Sequence, residues 1–341
     1  MPLARRSYAM PADSFACYLV TKEGSSFRGE VTTRGVADLP AGELLVRVDY
    51  SSLNFKDALS ATGNPAVTRK FPHVPGIDAA GVVEQSDLSE YRPGDRIVVT
   101  GFDQGQNTWG GMAGYVRVPA RWAVRLPDNL STRDAMLYGT AGLTAAQCVE
   151  ALVARGVTPA SGEVVVTGAS GGVGSLAVGI LAKLGYNVAA VSGKPEAGEL
   201  LKRLGARTLL TRADVVDEST KPLLTARFAG AVDTVGGKTL GTVLRSLQRA
   251  GVCAACGLVG GVEIPITVMP FILRGVDLAG IDSVECPMLQ RVRIWNNLAD
   301  AWRPAALQEL AHEITLRDMP QMVEKILQGG ITGRVIIRPE A

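Results

Sequence analysis

The sequence predicts an α/β protein in which a small β-barrel is combined with a doubly wound, six-stranded parallel sheet. Three observations point there: the strand-turn-helix run VVVTGASGGVGSLAVGILAKLGY at 164–186, an alternation of apolar strands and helices from Asp134 to Asp282, and a strand-rich, glycine-punctuated first third. At 341 residues the chain has room for two domains and a large core.

The elements follow in order. Residues 1–14 carry two arginines but no apolar stretch before a cleavage site, so they read as a disordered extension and not as a signal peptide. Strands are predicted at 15–20, 43–51, 80–84, 95–100 and 114–119, with turns such as RPGD at 92–95. The parallel sheet takes its strands from near 164, 188, 208, 231, 252 and 278. Beyond them come helices at 289–301 and 320–328 and a last strand at 334–338. The tail is expected to return to the first domain, which gives a barrel domain of 15–133 plus 284–341 and a sheet domain of 134–283.

The glycine turn carries the first chemistry. Val164, Val165 and Val166 suit a strand buried on both faces, and Ala169, Gly171 and Gly174 hold the i, i+2 and i+5 places of a G-x-G-x-x-G turn. Gly171 lets the backbone approach a pyrophosphate, and Gly174 lets helix and strand pack closely. Amides at the start of the following helix, with Ser170, Gly172 and Val173, then face the phosphates. A dinucleotide site preferring NAD places a carboxylate about 20 residues beyond such a turn. Here the next strand ends in Ser192, Gly193 and Lys194, with Arg212 after the strand that follows, a set suited to a 2′-phosphate. NADPH is the expected cofactor.

Composition excludes several classes. A formal net charge of +2 with acids and bases interspersed argues against nucleic acid or a membrane as main partner, and no apolar run has transmembrane length. Five scattered cysteines fit reduced thiols in a cytoplasmic protein. Cys253 and Cys256 form a C-x-x-C string within a predicted strand, where the odd offset sends them to opposite faces and argues against a metal site.

Several strings sharpen the reading: SSLNFKDALSATG (51–63), FPHVPGIDAAG (71–81), TWGGMAGY (108–115), GTAGLTA (139–145), AACGLVGG (254–261) and TVMPFILRGVDLAGIDS (267–283). Together with the glycine turn they resemble the medium-chain dehydrogenase/reductase superfamily, and within it the zinc-free branch of acrylyl-CoA reductases often labelled quinone oxidoreductases. The resemblance covers the chain after residue 14. It implies a GroES-like catalytic domain, a Rossmann NADPH domain and, through the edge strand near Leu278, a homodimer. The superfamily's zinc-ligand positions correspond here to Asn54, Ile77 and Thr140, which are poor ligands, so no metal is expected. Without a Lewis acid the natural chemistry is reduction of a polarised C=C bond, with an enoyl-CoA as substrate.

The same resemblance nominates residues. Asn54 is a hydrogen-bond donor for an enolate oxygen, and Asp57 and Asp78 are candidates to order water or relay a proton. All three also have a structural reading: Asn54 and Asp57 as a helix cap, Asp78 as a partner of backbone amides in its turn. Phe55 stands where the branch commonly has tyrosine; it keeps the ring against the nicotinamide and loses the hydroxyl. Thr144, Leu258, Ile272 and Ser283 correspond to positions around the nicotinamide and its ribose. Trp109 and Met112 are candidates for the acyl pocket, and Arg69, Lys70, Arg291 and Arg293 are candidates for the CoA phosphates by charge alone. Two other functions stay open: a quinone or enone reductase on the same scaffold, and a binding protein that keeps NADPH without catalysis.

Overall fold

The computed structural model describes residues 13–339. Within it the chain divides into two compact units, one holding the chain up to Gly139, Glu313–Gly330 and the end from Val335, the other Thr140–His312 and Ile331–Arg334.

The first unit opens with β1 (Ser14–Glu23) and β2 (Ser26–Gly35), an antiparallel pair. Of the extension expected over 1–14, residues 1–12 lie outside the described residues, and Ser14 already belongs to β1. β2 escaped the sequence reading because SFRGEVTTRG shows no apolar alternation: the strand is exposed or half-buried along its whole length. Next come β3 (Leu44–Leu53), α1 (Phe55–Ala61), β4 (Asp78–Ser86), β5 (Arg96–Thr100), β6 (Tyr115–Val118) and β7 (Val124–Arg125). Leu44, Val46, Ile97, Val99, Val116 and Trp122 build the core between these strands. Gly81 is required where β4 meets β3, since a Cβ there would lie 2.0 Å from the carbonyl oxygen of Arg47.

The second unit begins inside α2 (Thr132–Ala154), which is broken at Gly139 by φ 52° and ψ −154°, a conformation open to glycine. It continues through β8 (Glu163–Val166), α3 (Gly172–Lys183), β9 (Asn187–Val191), α4 (Gly198–Arg203), β10 (Thr208–Leu210), β11 (Phe228–Asp233), α5 (Gly237–Ser246), β12 (Leu247–Ala255), α6 (Met269–Arg274) and β13 (Asp277–Gly280). The strands pair in parallel in the order β10-β9-β8-β11-β12-β13, the doubly wound topology. All six stand where the sequence put them. Val164, Val165 and Val166 are fully buried, as a strand at the centre of such a sheet must be.

After the sheet the chain forms α7 (Met288–Ala299), β14 (Ala311–Thr315), α8 (Met319–Leu327) and β15 (Arg334–Arg338). β15 returns to pair with β3, as expected of the tail. The boundary placed at residue 284 is corrected, because the segment up to His312 belongs to the second unit. Its contacts explain why: Gln290 and Arg293 donate to Glu150 on α2, Arg203 pairs with Glu309, and Pro304 sits where a Cβ on Gly179 would be 2.7 Å away. No helix among the described residues is long and apolar enough to cross a membrane.

Candidate functional site

In the second unit the glycine turn takes the form the sequence implied. Gly168 has φ +60°, Gly171 caps α3, and a Cβ on Gly174 would lie 2.3 Å from the carbonyl oxygen of Gly168, so no larger residue fits between helix and strand. Ala169 is buried and donates its amide to the carbonyl of Val191 on β9 (2.9 Å). Val173 lies in the first turn of α3, where amides lack intrahelical partners and favour an anion.

Beside the turn stand the groups expected to select a 2′-phosphate. The Ser192 hydroxyl donates to Ser170 Oγ (3.0 Å) and accepts from the Lys194 amide (3.0 Å). Lys194 Nζ donates to the carbonyl of Ile331 (2.6 Å) and lies 3.4 Å from Thr332 Oγ1, which anchors its long chain. The Arg212 guanidinium lies over Gly193, where a Cβ would be 2.3 Å from Nε. Two cations and two hydroxyls therefore gather at the end of β9.

Sequence reasoning missed Arg334. Its side chain is buried and lies against Gly172 at the start of α3, where a Cβ would come within 3.0 Å of Nη1. The Gly333 amide donates to the carbonyl of Ser170 (2.9 Å), so this late segment is hydrogen-bonded to the phosphate turn. Nothing local in GGITGRVIIRP announces that role; only the return of the chain brings it here.

The remaining cofactor candidates divide. Thr144 and Ser283 come together, with Oγ atoms 2.8 Å apart, while Thr144 also donates to the carbonyl of Thr140 (2.7 Å). Leu258 lines a cleft at the carboxyl ends of β12 and β13 with Cys256, Gly280 and Asp282. Ile272 stands on α6, and both it and Leu258 are largely exposed, at 68% and 62%. Cys256 lies just past the end of β12, so the opposite-faces argument made for the C-x-x-C string does not reach it; Cys253 is buried in the strand. Among the described residues no group of three or more His, Cys, Asp or Glu could hold a metal ion.

In the first unit, Asn54 caps α1 with an extended backbone, and Asp57 and Asp78 are fully buried. Asp57 Oδ1 accepts from the amides of Gly76 (3.1 Å) and Ile77 (2.8 Å); Oδ2 accepts from the Asn54 amide (2.7 Å) and from Asn54 Nδ2 (3.2 Å). Asn54 Nδ2 also donates to Asp78 Oδ2 (2.7 Å), which the Ser52 hydroxyl reaches at 2.6 Å. One amide thus ties two buried carboxylates together. An Asn nitrogen has two protons, and both are directed at carboxylates, so in this arrangement Asn54 links the acids and does not donate to an oxyanion. Burial first, and the charge of Asp78 second, push the Asp57 carboxyl up to about 7 against the pull of its donors. The capping role and the acid pair are both present, and Asp78 Oδ2 is met by two side-chain donors.

Other nominations change. Phe55 is partly exposed at 38%, while Met112 is fully buried. Trp109 Nε1 donates to the carbonyl of Pro72 (3.4 Å). Arg291 is buried and donates to the carbonyls of Ser283 and Val284, so it is not disposed to meet CoA phosphates, while Arg293 is paired with Glu150 at the surface. Arg69 and Lys70 remain exposed.

Comparison with known proteins agrees with this architecture. Residues 40–128 match the alcohol dehydrogenase GroES-like domain and residues 172–295 the zinc-binding dehydrogenase family. The acrylyl-CoA reductase AcuI of Ruegeria pomeroyi is 44% identical over 95% of this chain and 98% of its own. The putative quinone oxidoreductase YhfP of Bacillus subtilis is 43% identical over 95% and 98%, and its crystal structure with NAD bound superposes with a TM-score of 0.93 over 96% of this chain and 100% of its own. The YhdH oxidoreductase of Salmonella enterica in complex with NADP, 44% identical, gives a TM-score of 0.92 over 95% and 100%. With this likeness over nearly its whole length, the chain belongs to the AcuI and YhdH family of the medium-chain dehydrogenase/reductase superfamily.

Proposed function

We propose that this protein reduces the C=C bond of acryloyl-CoA to propanoyl-CoA with NADPH and without zinc. One observation carries the reading: a cationic, hydroxyl-lined site at the end of β9 in a chain 44% identical to an acrylyl-CoA reductase. Ser170, Ser192, Lys194 and Arg212 would hold the 2′-phosphate of NADPH, while Arg334 and the amides of Gly172 and Val173 would hold its pyrophosphate. Bound there, the cofactor supplies the hydride for the β-carbon of the enoyl thioester. Thr144 and Ser283, hydrogen-bonded to each other, would orient its ribose, and Leu258 would lie against its reacting end.

The acid pair supplies the proton. Charge that develops on the thioester oxygen is quenched when the α-carbon is protonated, and Asp57, held near 7, keeps a proton in reserve beside the charge of Asp78. Asn54 fixes the separation of the two carboxylates. Phe55 lacks a hydroxyl, so proton delivery in this chain does not pass through that position.

A quinone or enone reductase is the second reading, favoured by the 43% identity to YhfP. Five cysteines that are all free support the cytoplasm as location. Val259, Val262, Ile272 and Leu273 are at least half exposed, and β13 is the edge of its sheet, which supports assembly as a homodimer.

Acryloyl-CoA is expected to drive oxidation of NADPH faster than of NADH, and Lys194→Ala to raise the KM for NADPH about 10-fold or more with kcat little changed, a charge-assisted hydrogen bond to phosphate being worth roughly 1.5–3 kcal/mol; turnover confined to quinones would overturn the substrate. The rate kcat should fall as pH rises past about 7, where Asp57 loses its proton, and a profile flat to alkaline pH would place the donor elsewhere. Stability moves in the same direction. The folded value lies above the ordinary 3.8, so the folded chain holds the extra proton and loses stability as pH rises from about 4 to 7, a slope that Asp57→Asn removes in urea titrations. Light scattering should give a dimer mass, and Val262→Asp with Ile272→Asp a monomer; a monomeric parent protein would contradict the assembly.

A further inference from the structure

β11 is buried at every position and ends in Asp233, a carboxylate with no exposed surface. Taking such a group out of water costs several kcal/mol unless hydrogen bonds replace the lost hydration. Its setting is otherwise apolar and thiol-rich: the Cys253 thiol is pushed well up by burial, with the Asp233 charge adding to it. The donors that compensate it are specific. The Thr167 hydroxyl donates to Oδ1 (2.6 Å), and the amides of Gly236 (2.7 Å) and Val235 (3.3 Å) donate to Oδ2. The Thr167 oxygen in turn accepts from the Thr234 amide (3.1 Å), and Thr234 Oγ1 donates back to the carbonyl of Thr167 (2.9 Å).

These bonds join two turns. Thr167 immediately precedes the phosphate turn after β8, whereas residues 234–237 form the turn after β11, the neighbouring strand. The junction is tight enough that a Cβ on Gly168 would lie 2.3 Å from Thr234 Oγ1. A third turn, after β12, is carried on the same support. Cys256 donates its amide to the carbonyl of Asp233 (2.9 Å) and Gly260 to that of Val235 (2.7 Å), while a Cβ on Gly257 would sit 1.9 Å from the carbonyl oxygen of Thr234. Gly236 and Gly237, at φ +76° and +56°, face the carbonyls of Gly261 and Gly260 in the same close fashion. The third turn contains Leu258.

We infer that Asp233 is a positioning residue for the cofactor: through Thr167 and the 234–237 turn it sets the spacing between the pyrophosphate turn and the turn that carries Leu258. Ligands of doubly wound sheets bind outside the carboxyl ends of the strands, where a brace of this kind fixes the distance between the two parts that hold the two ends of a dinucleotide. The carboxylate suits the task because every partner is a donor. An amide in its place turns one acceptor into a donor facing N–H or O–H groups. The inference rests on NADPH occupying the glycine turn as proposed above.

The test compares two ligands in the intact protein. NADPH binding is followed by its fluorescence, adenosine 2′-phosphate binding by calorimetry, and the unliganded melting temperature is recorded alongside. Asp233→Asn should weaken NADPH about 10-fold or more while adenosine 2′-phosphate, held at Ser192, Lys194 and Arg212, changes less than about twofold. Thr167→Val should act in the same direction and Thr167→Ser, which keeps the hydroxyl, should bind NADPH as the parent does; this pair decides the matter if Asp233→Asn does not fold. Parent-like NADPH binding by Asp233→Asn or Thr167→Val, or an equal loss of both ligands, would overturn the brace. Failure of the parent protein to bind NADPH would instead overturn the cofactor reading, and the brace with it.

Discussion

Backbone meeting backbone at the carboxyl ends of the central parallel strands is the constraint on which the rest of the structure depends. Gly174 against the carbonyl of Gly168, Gly168 against Thr234, and Gly257 against Thr234 leave no room for a Cβ. The turns are held by main-chain hydrogen bonds, by the hydroxyls of Thr167 and Thr234 and by one buried carboxylate. The consequence is a rigid floor of amides and glycines against which a dinucleotide can lie. Chemistry that depends on placing a nicotinamide within ångströms of an alkene needs such a floor more than it needs a strong individual contact.

The first unit solves a different problem with similar means. Two carboxylates are buried there, yet each is supplied with donors: four for Asp57, and at least Ser52 and Asn54 for Asp78. The cap of α1 and the link between the acids share Asn54 and Asp57. What the geometry does remove is Asn54 as an oxyanion donor, because its two protons are already engaged.

Much of this was legible in the chain. Valine runs and glycine spacing give the sheet and its phosphate turn directly, since period and turn chemistry are local properties. Ser192, Lys194 and Arg212 are nominated by what is absent at the end of β9, a carboxylate. Arg334, Ile331 and Thr332 were not found, because they reach the site only through the tertiary return of residues 331–334 to the second unit. β2 was missed for lack of alternation, and the segment 284–312 was assigned to the wrong unit because nothing in its sequence shows that Glu150 and Arg203 will hold it. Charge alone nominates Arg291, and burial removes it.

In the proposed reaction hydride from NADPH reaches the β-carbon of acryloyl-CoA, and the α-carbon is protonated by a group in exchange with water. Mass spectrometry of the product formed from acryloyl-CoA and NADPH deuterated at the transferable position of the nicotinamide tests it most directly. Propanoyl-CoA is expected with a single deuterium at the β-carbon, and in heavy water with unlabelled NADPH with a single deuterium at the α-carbon. Deuterium from NADPH at the α-carbon, or oxidation of NADPH with no propanoyl-CoA formed, would contradict it.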